Sequence, residues 1–445
     1  MPPRNNVIPA KAGIQISFQQ AQALMAEHIQ SYRPSKTIVR FEIKINTIDQ
    51  IDWLAAQSAQ VKVFGANQDD SAAIAGVGEA LSCKGRGKIN FAKVFKQLRQ
   101  YLTPQYPYLQ WYGGFAFDNS TTDAAWAQFG SWHFVLPRFE LARDTDKMIF
   151  GCNLIGKIDQ KKVLKELQEL QLPKANRCDF EVVRRKDHPA PKAWDAQVSG
   201  VLKSIHSGKC SKVVLARKTD LSFKDALDPW SMLKCLKKVT PNSYHFAFGF
   251  GSSVFLGASP ERLYKRYGRG ILSEALAGTK PKDSPAQALQ DSAKDRHEHD
   301  LVVGEINRGL GPLCVKLAFD PAPQILTLSN GHHLNTKFQG QLKDGVQDAD
   351  ILQSLHPTPA LGGLPKEFAL KTIRNMEPFS RGWYAGPVGY VGLDWAEFVV
   401  AIRSGLVKGR KLSVFAGAGI VEGSNPADEW QEIENKISNF IKIIK

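Results

Sequence analysis

The feature of this sequence that most restricts its fold is the irregular order of its apolar runs. Short stretches rich in β-branched and aromatic residues, the composition of sheet strands, recur at residues 37–43, 61–64, 132–136, 212–217, 253–258 and 413–421. Helical periodicity falls between them at 161–170 and 286–310, where Leu289, Leu301, Val302 and Ile306 are core candidates, and again from Pro426 onward. The two kinds of element do not alternate with the period of a βαβ unit, and no internal repeat is visible. A doubly wound parallel sheet is thereby disfavoured, and an α+β fold with large antiparallel sheets packed together and helices outside is predicted. Residues 1–35 carry no pattern and are expected to be loosely held. Residues 36–190 form a candidate N-terminal subdomain, and 186–192, with Pro189 and Pro191, reads as a connection. Residues 191–445 hold the sharper patterns.

At 445 residues the chain is long enough for one large or two medium domains. Its 43% hydrophobic and 23% charged residues suit a globular protein and exclude a disordered, collagenous or coiled-coil chain. The net charge of +15 would fit a nucleic acid, an anionic surface or an acidic small substrate. The cations are scattered, however, and the densest groups, 184–186 and 408–411, are short. No basic stripe interleaved with aromatic residues is present, so no nucleic-acid partner is expected. The six cysteines are far apart with no CxxC pair. That predicts neither zinc nor a disulfide framework, but reduced thiols in a cytoplasmic protein. The N-terminus has no apolar leader, and no apolar run approaches the roughly 18 residues of a membrane span.

The chemistry-bearing residues cluster in the second half. In the last helix Trp430, Ile433, Ile437, Phe440, Ile441 and Ile444 fall on one stripe. Glu429, Glu432 and Lys436 lie together at its edge, at spacings of three and four. Asp295 and Glu298 repeat that spacing on a second helix. Two such helices suit Mg²⁺, which takes one or two carboxylates, waters and the substrate's own anion. The alternative is two solvated faces with helical Glu–Lys pairs. Lys212 opens an apolar strand, where desolvation favours the neutral amine and makes it a candidate base, or else it snorkels at a strand end. Glu261 stands where a strand runs out, and is either an acid facing that base across a ring or an exposed turn carboxylate. Arg403, inside an apolar run, needs an anion partner if buried. Gly417 and Gly419 would let a ligand approach the backbone, or would mark a bulge.

Eight motifs in order carry a resemblance over residues 195–445: KVVLAR (212–217), ASPERL (258–263), EALAGT (274–279), DRHEHDLVV (295–303), LHPTPA (355–360), AIRS (401–404), AGAGIV (416–421) and EWQEIENK (429–436). This set resembles the chorismate-binding enzymes, which share the anthranilate-synthase-like fold. WYGGFAFD (111–118) and FVLPRFEL (134–141) are most similar to the menaquinone-pathway isochorismate synthases. The resemblance implies a cytoplasmic, Mg²⁺-dependent enzyme acting on chorismate, a small molecule, with no nucleic acid, membrane or glutaminase subunit as partner. It implies Glu298 and Glu432 as metal ligands, with Glu429 and Asp295 behind them, although many relatives have Glu where this chain has Asp295. It further implies Lys212 as the base that activates water and Glu261 as the acid that protonates the departing hydroxyl. Arg403, Tyr384 and the backbone at Gly417 or Gly419 would hold the enolpyruvyl carboxylate, and Thr279, His356 and Lys436 would line the pocket. Anthranilate synthases resemble this chain without lysine at the position of Lys212, which favours water over ammonia as nucleophile. Salicylate synthases usually carry threonine near the position of Ala360, which favours isochorismate over salicylate as the product.

Overall fold

Two antiparallel sheets face one another across a core of aromatic side chains. The structure, a computed structural model, describes residues 15–118, 123–174, 178–329 and 331–444. Among them, twelve strands form one sheet and ten the other, and every strand pairing is antiparallel. The first sheet runs from Ser35–Ile45 through Lys147–Gly156, Phe139–Asp144, Ala72–Val77 and Val61–Ala66. It crosses into the second half of the sequence at Tyr244–Phe250, which pairs with Val61–Ala66. It continues through Ser253–Ser259, Ser404–Lys408, Lys411–Ile420 and Lys212–Phe223 to Gly363–Leu364. The second sheet joins the early strands Leu81–Gly85, Trp132–Leu136 and Trp111–Phe115 to the late strands Pro387–Val391 and Trp395–Val400. Both sheets therefore draw strands from either side of residue 190. Between them Phe129, Phe250, Phe255 and Trp383 meet edge to face at centroid distances of 5.3–6.5 Å. Pairs of this kind add about 0.5–1.5 kcal/mol each beyond the area they bury.

Helices cover the outside. The closing helix, Pro426–Lys442, starts as its sequence predicts: Asn425 accepts from the Ala427 N–H, and Pro426 takes the first turn, where no donor is needed. Ile433, Ile437 and Phe440 are buried beneath it. The periodic segment 286–310 forms two helices, Gln287–Asp291 and Ala293–Leu310, because Ser292 leaves the helical conformation and caps the second through the Asp295 N–H.

Three expectations need correction. Residues 15–35 are not loosely held: Phe18–Ser31 is a helix opened by a reciprocal Ser17–Gln20 cap, with Phe18, Ala21, Met25 and Ile29 buried. The segment 186–192 is not all connection, since 186–188 complete the strand Val182–His188, which pairs with Lys212–Phe223. The cysteines are not all thiols, since Cys178 and Cys235 form a disulfide. Cysteines 57 residues apart give no local spacing from which to infer a pair. Among the described residues no helix is long and apolar enough to cross a membrane.

Candidate active site

Most of the candidate residues meet in one cleft, where strand ends of both sheets face the helices Ala293–Leu310 and Pro426–Lys442, while Lys212 lies just behind Glu298. Glu261, Thr279, Glu298, Ala360, Tyr384 and Arg403 line the cleft, together with Gly417, Gly419, Glu432 and Lys436. Lys212, the first residue of its strand, is fully buried, and its Nζ donates to Glu298 Oε1 at 2.9 Å. Gly419 lies on the neighbouring strand, and a Cβ there would stand 2.5 Å from Glu298 Oε1 and 2.9 Å from Lys212 Cε. Glycine at this position is thus a requirement of space. A Cβ on Gly417 would stand 3.1 Å from the Tyr384 hydroxyl.

The four carboxylates assigned to metal binding all face a lysine. Besides Lys212 on Glu298, Lys436 Nζ lies 2.5 Å from Glu432 Oε1 and 2.9 Å from the Gly417 carbonyl oxygen. Lys294 Nζ lies 2.6 Å from Glu429 Oε1, and Lys280 Nζ lies 3.0 Å from Asp295 Oδ2. Burial and the neighbouring Glu432 charge push the Glu429 carboxyl above its ordinary range, against the pull of Lys294. Among the described residues no three His, Cys, Asp or Glu side chains converge on one point. A cation that demanded an all-protein cage would not fit. A hard cation sharing two carboxylates with waters and a substrate anion does fit: Glu298 and Glu432 both face the cleft, and the crowding of Glu429 against Glu432 is charge that a cation would relieve.

Glu261 is buried where its strand has ended, its N–H donating to Ser259 Oγ at 3.2 Å. Burial, with Glu274 adding its charge, lifts its carboxyl to about 8, although Lys212, Lys436 and Arg403 oppose the shift. It is therefore largely protonated at neutral pH. Arg403 is also buried, and burial draws its guanidinium down to about 10 despite the charges of Glu432, Tyr384 and Glu261. Its backbone sits at φ +50°, a left-handed conformation rare for arginine. Among the described residues its guanidinium is in no ion pair of 4.0 Å or less. A buried cation so placed is ready for a carboxylate from outside. Burial also raises the Tyr384 hydroxyl, whose ring stacks on Phe415 at 5.3 Å.

The matching family model, described as chorismate binding enzyme, spans residues 21–445. The chain belongs to the chorismate-binding enzymes. It is 32% identical to the isochorismate synthase MenF of Escherichia coli over 92% of this chain and 93% of that one. It is also 32% identical to MenF of Haemophilus influenzae, over 97% and 98%. Identity is again 32% to isochorismate synthase 2 of Arabidopsis thaliana, over 92% and 81%. The solved structure of E. coli MenF superposes with a TM-score of 0.85 at 29% identity, covering 96% of this chain and 99% of that one. Component I of anthranilate synthase from Streptococcus pneumoniae superposes at 0.69 with 20% identity, over 83% and 92%, and shares the fold.

In this chorismate-binding enzyme one predicted pocket residue lies elsewhere. His356 is not on the cleft wall: its Nε2 is 2.9 Å from the Phe117 carbonyl oxygen, and its own carbonyl accepts from Lys366. It ties a loop rather than facing a ligand. The cleft histidine is His333, whose Nδ1 lies 3.1 Å from Thr279 Oγ1 and whose buried Nε2 has no hydrogen-bond partner. The other cleft residue missed is Arg381, clamped by Glu377 and donating to the carbonyls of Leu361 and Val214. Both stand in sequence surroundings that read as ordinary buried strand and loop.

Proposed function

We propose that this chorismate-binding enzyme is an isochorismate synthase, which adds water at C2 of chorismate and expels the C4 hydroxyl as the ring double bonds shift. The observation that carries this reading is a carboxyl on the cleft wall, Glu261, that burial keeps protonated, with the buried Lys212 reaching the cleft residue Glu298 from behind. Lys212 takes the proton from the attacking water. Glu261 gives its proton to the departing C4 oxygen, and the proton inventory closes when the two groups exchange through solvent. Arg403 and the Tyr384 hydroxyl hold the enolpyruvyl carboxylate, with the backbone at Gly417 and Gly419 closing on it, while Thr279 and Lys436 fix the ring. Holding the substrate at several points removes orientational freedom before reaction. Glu298 and Glu432, backed by Glu429 and Asp295, would hold Mg²⁺, which when bound neutralises and anchors the ring carboxylate.

Ala360 on the cleft wall supports release of isochorismate rather than elimination of pyruvate to salicylate. Lys212 supports water rather than ammonia, and hence an enzyme needing no glutaminase subunit. The MenF relatives support a place in menaquinone biosynthesis and a cytoplasmic location. The decisive experiment incubates the protein with chorismate and Mg²⁺ and identifies the product by chromatography, with and without EDTA. Isochorismate is expected, abolished by the chelator and restored by excess Mg²⁺. Salicylate as the main product, an aminated product with ammonium, or undiminished turnover under chelation would each overturn the corresponding part of this reading.

A further inference from the structure

One edge of the strand Lys212–Phe223 has a gap in its neighbours. Gly363–Leu364 pairs with Lys212 and Val213, and Val182–His188 pairs only with residues from Lys218 onward. The backbone groups left between them still need partners, because an unpaired buried N–H or C=O is costly. Two side chains supply them. The Ala216 N–H donates to Glu377 Oε1 at 2.8 Å, and Arg381 Nη2 donates to the Val214 carbonyl oxygen at 2.8 Å. Glu377 and Arg381 are joined to each other through Nε and Nη2, a two-point pairing that fixes direction as well as distance. This buried ion pair thus stands where a strand would.

The same guanidinium reaches a second segment. Its Nη1 donates to the Leu361 carbonyl oxygen at 2.8 Å. Ala360, Leu361 and Val214 all line the cleft. The Gly362 carbonyl accepts from the Val214 N–H and the Leu364 carbonyl from the Ser211 N–H, so residues 361–364 lie against the start of the strand, where Lys212 stands. Tyr384 is held differently, by its N–H on the Arg381 carbonyl and its ring on Phe415, neither of which involves the Arg381 side chain.

We propose that Arg381 is a positioning residue: by tying the Leu361 and Val214 carbonyls to Glu377, it fixes the end of the strand that presents Lys212 to Glu298. It acts through Lys212 and not on the substrate, so the inference rests on Lys212 being the base of the proposed reaction. A lysine at 381 would keep the charge but lack the planar fork that serves a carboxylate and two carbonyls at once.

Arg381→Lys is the test, with chorismate turnover measured well below the variant's melting temperature. Arg403 and Tyr384 are untouched, so KM should stay within about threefold. A fall in kcat of at least about tenfold is expected, within what a misplacement of about 1 Å costs. Glu377→Gln keeps an oxygen for the Ala216 N–H and gives up one bond to Arg381. It covers the case of a first variant that does not fold, and should lower kcat at least about threefold, the low end for one hydrogen bond. In a Lys212→Ala background either substitution should slow turnover less than about twofold, since the group being positioned is gone. A lowered melting temperature with kcat and KM unchanged would reduce the pair to a brace of the fold and overturn the proposal. So would a rise in KM alone, which would put the guanidinium on the substrate, or a full loss on top of Lys212→Ala. Near wild-type turnover by Lys212→Ala itself would instead remove the base, and the positioning role with it.

Discussion

Lys212 and Glu261 each yield an expectation, one from the buried lysine's place and one from the raised carboxyl. Lys212→Ala removes the proposed base but leaves Arg403 and Tyr384, the groups proposed to hold the substrate. Loss of a contact made in the transition state lowers kcat and kcat/KM together. Turnover is expected to fall at least about 10²-fold, the lower end for a positioned base, with chorismate affinity little changed by calorimetry. A folded variant with near wild-type turnover would make Lys212 a structural lysine. For Glu261 the sign follows from its raised carboxyl, at about 8 in the fold against an ordinary 4.5. The protonated, proton-donating form persists below about 8 in the free protein, so kcat/KM should hold at neutral pH and decline above that value. The stability that comes from keeping this proton is complete below about 4.5 and is lost as the pH rises through about 8. Glu261→Gln should remove the alkaline decline in stability together with the activity, and a wild-type rate profile flat beyond pH 9 would discard the acid role. Single residues were also where the sequence was most and least legible. Lys212 and Glu261 announce themselves because a charge at the end of an apolar run needs explanation. His333 does not, because a histidine within a strand looks like any other buried ring, and its place beside Thr279 depends on pairing across 54 residues.

Between elements, clearances of a few tenths of an ångström decide whether the site can form. The strand Lys411–Ile420 passes so close to the helix Ala293–Leu310 that Gly419 has no room for a methyl group. Gly419→Ala is expected to push Glu298 and Lys212 apart, cutting turnover at least about tenfold, as displacement of a catalytic group by about 1 Å can. Far-ultraviolet circular dichroism should be unchanged, because the strand's ladder does not depend on the side chain. An active Gly419→Ala protein would show that the two side chains can move aside without penalty. Some elements were legible from periodicity: the Trp132–Leu136 strand has the predicted bounds, and the closing helix starts at the predicted Pro426 behind its Asn425 cap. The break at Ser292 was not, because apolar spacing continues across it, and only the cap shows that one helix has become two.

Over the whole molecule, the sequence shows that antiparallel sheets are to be expected but not which strands pair. Antiparallel sheets follow from the irregular order of strands and helices, whereas the pairing of Val61–Ala66 with Tyr244–Phe250 spans nearly two hundred residues and leaves no local mark. Because each sheet is shared between the two halves of the chain, residues 191–445 expressed alone would expose the open edges of Tyr244–Phe250 and Pro387–Val391. Such edges invite aggregation. The fragment is expected to be insoluble, or to lack the dispersed amide spectrum of a folded domain in nuclear magnetic resonance. A soluble, cooperatively melting fragment would show that the early strands are dispensable. The lysines beside the carboxylates proposed to hold metal bear on how the molecule comes to exist at all. Structural zinc domains gather their ligands only when the ion arrives, so for them loading and folding are one event. Here four lysine side chains already pair with four carboxylates inside the fold. The newly made chain can thus assemble to completion before any ion arrives, and a cation bound as proposed above would have to trade places with these side chains.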